Sequence, residues 1–122
     1  MSGEEVVLDS NVLIDLLKGD AAVRETIRGL RTRVSFITEV EVLSWPGSTG
    51  RDMELMTALL GQSVVMPFDP SIKAVTIQLR RTTKLKLPDC FVAAAAIVAD
   101  VPLITRDKGF KKIAHLVEVR LV

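Results

Sequence analysis

The stretch Val6 to Leu17, V-V-L-D-S-N-V-L-I-D-L-L, passes from a short apolar run straight into apolar residues at helical spacing. Val6-Val7-Leu8 is too short for a helix and has no polar alternation, which predicts a strand covered on both faces. Val12, Leu13, Leu16 and Leu17 then predict a helix with one buried stripe. The junction residue is Asp9, delivered to the carboxyl end of the strand, where parallel α/β sheets bind their ligands. Asp is also an ordinary helix N-cap, so for this residue alone both readings stay open.

The same passage from strand to helix recurs along the chain. Gly19 ends the first helix, and Asp20 caps a second through Ala22, Val23, Ile27 and Leu30. Val34 to Ile37 predicts another buried strand, and Thr38-Glu39-Val40-Glu41 starts a helix at its end. Pro46-Gly47-Ser48-Thr49-Gly50 is a loop, followed by a helix over 51–60 and a strand over Val64 to Phe68. Asp69-Pro70 pairs an N-cap with proline at the first helical position, opening a helix to Arg81 or Thr83. Pro88-Asp89 opens an alanine-rich helix that Asp100-Val101-Pro102 ends. Leu103 and Ile104 predict a short strand, Thr105-Arg106-Asp107 a helical turn containing Phe110 and Ile113, and Val117 to Val122 a last strand. Strands alternating with helices imply a three-layer α/β/α sandwich with a mainly parallel sheet of about five strands. The 122 residues fit one domain, 1–122.

Several classes are excluded at this stage. The longest apolar run, Phe91 to Ala99, is far short of the roughly 20 residues a bilayer demands. The opening Met1-Ser2-Gly3-Glu4-Glu5 is polar and acidic rather than a secretory leader, so the expected location is cytoplasmic. One cysteine, Cys90, allows neither an internal disulfide nor a cysteine-rich zinc site. A net charge of +1 gives no global attraction for polyanions. Attraction would have to be local, through Arg28, Arg31 and Arg33, through Arg80, Arg81, Lys84 and Lys86, or through Arg106, Lys108, Lys111 and Lys112. The alternative for each cluster is a solvated helix face.

Asp9, Glu41 and Asp107 each lie just beyond a predicted strand, and parallel strands share one carboxyl edge. Asp89 lies in the first turn of its helix. Carboxylates gathered at one rim repel unless a cation neutralises them, and an all-oxygen set suits Mg²⁺ or Mn²⁺ rather than zinc. Singly, each acid has a plainer role. Thr38-x-x-Glu41 fits a capping box, Asp89 can favour its helix dipole, and Asp107 can cap a turn. Asp15 is expected to face solvent, Cys90 and Trp45 to pack, and His115 to stand outside the chemistry.

Four segments together resemble the PIN-domain family, and among its members the toxin ribonucleases of bacterial VapBC toxin-antitoxin pairs. V-L-D-S-N-V-L-I-D is similar to the family's first motif, I-T-E-V-E-V-L to its second, L-P-D-C-F-V-A-A-A-A-I to its third and L-I-T-R-D-K-G-F to its last. The motifs stand in family order and cover nearly the whole chain. The resemblance implies a metal-dependent endoribonuclease acting on single-stranded or looped RNA. It implies Asp9, Glu41, Asp89 and Asp107 as catalytic ligands of Mg²⁺ or Mn²⁺, with Asn11, Thr38 and Thr105 orienting them. Arg81, Lys84, Lys86, Arg106 and Lys108 become candidate RNA-phosphate contacts. It further implies a homodimer, with 12–17 and 53–60 as candidate faces, and inhibition by a cognate antitoxin whose C-terminal segment would lie beside the first helices. Three departures stand out: Gly109 where many relatives have an Asp, Ala95 in place of a frequent Thr, and Ser44-Trp45-Pro46-Gly47 beside the site. The reading from another class is a catalytically inert PIN-like binding module whose acids are only caps.

Overall fold

The computed structural model describes residues 3–122. Met1 and Ser2, part of the opening segment read as lacking a leader, lie outside the described residues. The chain alternates as β1 Glu5–Leu8, α1 Ser10–Leu17, α2 Ala21–Ile27, β2 Arg31–Ser35, α3 Phe36–Leu43, α4 Gly50–Gly61, β3 Val64–Met66, α5 Pro70–Thr82, α6 Leu87–Ala99, β4 Leu103–Thr105, a 3-10 helix Lys108–Ile113, and β5 Val119–Leu121. The five strands form one sheet in the order β3-β2-β1-β4-β5, and every pairing is parallel. Parallel pairs need a crossover, which is why a helical segment separates each strand from the next.

Alternation along β1 divides the core into two halves. Val6 and Leu8 face one side, where they pack with Val12 and Leu13 of α1, Val42 of α3, and Met56 and Leu60 of α4. Val7 faces the other, against Ile72 and Leu79 of α5, the Ala93 to Ala96 run of α6, and Phe110 and Ile113. The sandwich expected from the sequence is therefore present, with helices covering both faces of the sheet. The four alanines are at most 1% exposed, so α6 lies as close to the sheet as small side chains permit.

Some boundaries differ from expectation. Phe36 and Ile37 open α3 rather than extending β2, because the Ser35 hydroxyl accepts the Ile37 N–H at 3.3 Å and acts as N-cap. Thr38 and Glu41 consequently lie inside the helix and form no capping box; that motif occurs instead at Thr49 and Asp52, at the start of α4. Segments 12–17 and 53–60, expected as pairing faces, give Val12, Leu13, Met56 and Leu60 to the core. Asp69 caps α5 as read, accepting the Ile72 N–H at 2.9 Å. Among the described residues no helix is long and apolar enough to cross a membrane.

Candidate functional site

Strands β1 and β4 are neighbours, and the strand order reverses between them: β2 and β3 extend outward on one side, β5 on the other. The crevice beyond the carboxyl ends at such a reversal is where open α/β sheets bind ligands. Asp9 leaves β1 and Asp107 follows two residues after β4, so both stand at this crevice. The acidic residues expected there from the sequence arrive from two strands and, through Glu41 and Asp89, from two helices.

Asp9 is 5% exposed, and both its oxygens are engaged. One accepts the Ser10 backbone N–H at 2.8 Å, and the other accepts the Thr105 hydroxyl at 2.7 Å. The Thr105 oxygen in turn accepts the Asp107 backbone N–H at 3.0 Å, so one hydroxyl ties the end of β1 to the end of β4. Asn11 adds a second tie, its side-chain oxygen accepting the Arg106 backbone N–H at 3.4 Å. Asp107 also caps the 3-10 helix by accepting the Gly109 N–H at 2.8 Å. A Cβ at position 109 would come within 3.0 Å of that carboxylate oxygen, so glycine here lets the loop close on Asp107.

Burial and neighbouring carboxylates together raise three of the four acids. Burial raises the Asp9 carboxyl above its ordinary value, and repulsion from Asp107 adds to this against the hydrogen bonds of Thr105 and Ser10. Glu41 is raised by burial, then by Asp9 and Asp89, with the Ser10 side chain opposing. Asp89 is raised by burial, then by Asp9 and Asp107, with Lys86 opposing. Each of these three acids is close enough to at least one other to disfavour its charge. Among the described residues, however, no three Asp, Glu, His or Cys side chains are grouped so as to hold an ion as they stand. The donor chemistry fits a hard divalent cation, and gripping one would require the carboxylates to draw inward.

Thr38 is fully buried, and its hydroxyl has no hydrogen-bond partner. The hydroxyl of Thr76 in α5 is in the same state, and each such group costs about 1–3 kcal/mol. Arg81, Lys84, Lys86 and Lys108 are exposed. Arg106 is not available in the same way, because its guanidinium lies 3.2 Å from Asp15 and 3.1 Å from Asp20. It braces α1 against the start of α2, and Asp15 is a partner in that brace rather than a purely solvent-facing acid. No local pattern signals this pairing or the support Ser10 lends Glu41, since both depend on contacts between distant segments.

The PIN domain family profile matches residues 6–116. No curated protein matches the chain. Among solved structures, a chain of a toxin-antitoxin complex from Klebsiella pneumoniae is 27% identical with a TM-score of 0.80, covering 93% of this chain and 94% of that one. A VapBC complex from Rickettsia felis bound to a promoter DNA fragment has a TM-score of 0.82 at 17% identity, covering 97% and 98% of the two chains. DNA-bound VapBC from Salmonella typhimurium gives 0.81 at 19% identity, covering 96% and 97%. The last two likenesses are of fold alone.

Proposed function

Because the chain belongs to the PIN domain family, we propose that it is a metal-dependent endoribonuclease, the toxin of a type II toxin-antitoxin pair, which hydrolyses phosphodiester bonds in single-stranded or looped RNA. The observation that carries this reading is the meeting of Asp9, Glu41, Asp89 and Asp107 at the sheet's reversal point, where they repel one another. A Mg²⁺ or Mn²⁺ ion held by these four would supply a bound water of lowered pKa and positive charge for the phosphate.

The chain's own groups perform the positioning. Thr105 fixes one oxygen of Asp9 while holding the backbone of Asp107, so the two acids keep their relative places as substrate enters. Asn11 anchors the same loop, Ser10 steadies Glu41, and Thr38 lies buried in α3, the helix that carries Glu41. Lys86, whose charge already favours ionised Asp89, joins Arg81, Lys84 and Lys108 in contacting the RNA backbone. Arg106 acts as a brace instead.

Two protein partners fit the surface. Leu16 and Leu17 of α1, Leu55, Ala58 and Leu59 of α4 and Gln62 just past its end line a groove of about 230 Å³, sized for apolar side chains of an antitoxin segment. The similar chain from Klebsiella pneumoniae is part of a toxin-antitoxin complex, which supports this assignment. A second copy would pair through a separate apolar face. Phe36, Phe68 and Phe91 pack edge to face there, with centroids 5.0–5.9 Å apart, and Phe68, Val40 and Leu87 remain exposed around them. The proposed location is cytoplasmic.

The inert binding module draws support from the caps that Asp9 and Asp107 make. Incubation with labelled single-stranded RNA decides between the two readings. Cleavage that requires Mg²⁺ or Mn²⁺ and disappears in EDTA is expected; cleavage undiminished by EDTA refutes the metal dependence, and none with either metal refutes the nuclease.

A further inference from the structure

Away from the acids, the end of α5 and the end of the 3-10 helix form the walls of a cleft of about 670 Å³, lined by Arg81, Thr82, Thr83, Lys84, Lys112 and His115. No acid lines it. The charges of its cations are also unspent. Arg28, Arg31, Arg33, Arg51, Arg106 and Arg120 are all ion-paired, whereas among the described residues Arg81, Lys84 and Lys112 have no carboxylate within ion-pair distance. The carbonyl end of a helix ordinarily repels anions. Here the hydroxyls of Thr82 and Thr83 donate to the carbonyls of Gln78 and Leu79 at 2.8 Å each, which blunts that effect at α5. His115 contributes a further ring N–H donor.

Both walls run on in the sequence to residues of the acid site. The loop carrying Lys84 runs on through Lys86 to Asp89, and the 3-10 helix carrying Lys112 begins at Asp107. Five residues at about 2.0 Å rise separate Asp107 from Lys112, roughly 10 Å along the helix. A strand whose scissile phosphate lies among the four acids would reach the cleft with a phosphate further along its backbone. We propose that this cleft is a second phosphate site, holding the RNA backbone beside the cleavage point through Arg81, Lys84, Lys112 and His115. The proposal rests on the nuclease reading and adds to it a substrate that must extend beyond the scissile bond on one side. An acidic peptide has the same charge, but continuity with the acid edge favours the nucleic acid.

The test compares wild type with the triple variant Arg81→Gln/Lys84→Gln/Lys112→Gln in EDTA, by fluorescence anisotropy of a long single-stranded oligoribonucleotide at increasing salt. Each single-strand phosphate contact contributes about 0.7 to the slope of log affinity against log salt, so the variant's slope should be shallower by about 2. Between 50 and 200 mM salt, wild type should then lose roughly 20-fold more affinity than the variant. All three side chains are on the surface, and the variant's melting temperature should match wild type. Equal slopes, or no binding by wild type, overturn the cleft. If wild type still cleaves RNA in Mg²⁺, the nuclease reading survives that failure; if it does not, both fall. A variant that loses affinity for a polyglutamate probe but keeps its affinity for RNA overturns the proposal in favour of an acidic peptide.

Discussion

Replacing Asp9 by Asn separates a ligand from a cap, and the structure sets the terms. Asn can still accept the Ser10 N–H through its oxygen, so the cap at the start of α1 survives. Its amide nitrogen would face the Thr105 hydroxyl, which would have to turn and accept; the charge-assisted bond lost there is worth about 1.5–3 kcal/mol. Against this, Asn removes a charge that burial disfavours more than the hydrogen bonds favour, since the Asp9 carboxyl is held above its ordinary value. The two effects oppose, and in EDTA the net change should stay within about 1 kcal/mol, a few degrees in a chain of this size. Divalent metal distinguishes the cases without reference to activity. At ten times its Kd, an ion bound only by the folded state stabilises by about 1.4 kcal/mol, so wild type should melt higher by a few degrees in Mg²⁺ than in EDTA. Asp9→Asn should lose most of that rise, and its cleavage rate should fall at least about 100-fold. Differential scanning fluorimetry with and without Mg²⁺, run beside an RNA cleavage assay, gives both readouts. A mutant that keeps the Mg²⁺-dependent rise and near-normal cleavage would return the acids to capping.

Acidification should stabilise the chain in EDTA. Asp9, Glu41 and Asp89 are held above the ordinary carboxylate value, so their contribution is full below the unfolded-state pKa and is lost as pH rises through the raised values. The melting temperature should rise from about pH 7 to 5, while Glu4, Asp20 and Asp69, held low by hydrogen bonds, cost stability only at still lower pH; a steady fall across that window contradicts the acid cluster. Arg106→Gln should destabilise by about 0.5–1 kcal/mol, discounted for partial exposure, because it leaves Asp15 and Asp20 facing each other. Its RNA-binding salt slope should match wild type; a slope shallower by about 0.7 would make Arg106 a phosphate contact. Asp100 ends α6 in the left-handed region at φ 56°, so Asp100→Gly should raise denaturant stability by about 0.5–1 kcal/mol, and a loss would mean that the aspartate side chain has a role of its own there.

What the sequence revealed and what it hid follow from the range of the interactions involved. Val6-Val7-Leu8 declares a doubly covered strand because three adjacent apolar side chains must be buried on two faces, and the structure divides them between two core halves. The stretch Val34-Ser35-Phe36-Ile37 carries no such decision, since a short apolar run suits a strand end or a helix start equally. Ser35 resolves it by capping α3, and the T-x-x-E pattern three residues later then has no helix start to serve. The order of strands is set by packing between distant segments, and no local pattern places β4 beside β1.

The acid site shows the same division at the scale of single atoms. Strand ends and the start of α6 put Asp9, Asp107 and Asp89 at one edge, and that much follows from local patterns, whereas Glu41 reaches the others from inside α3. The Thr105 bridge and the Arg106 brace do not, because each joins the last motif to the first helix across most of the chain. Nor does capping compete with ligation in the way the sequence suggests. Asp9 and Asp107 are both caps in the structure, and a carboxylate has about four acceptor positions. The Ser10 N–H and the Thr105 hydroxyl take two of those at Asp9, one on each oxygen, and the Gly109 N–H takes one at Asp107. The caps fix each carboxylate's orientation and leave acceptor capacity over, so the hydrogen bonds that make these residues look structural are compatible with the ligand role proposed for them.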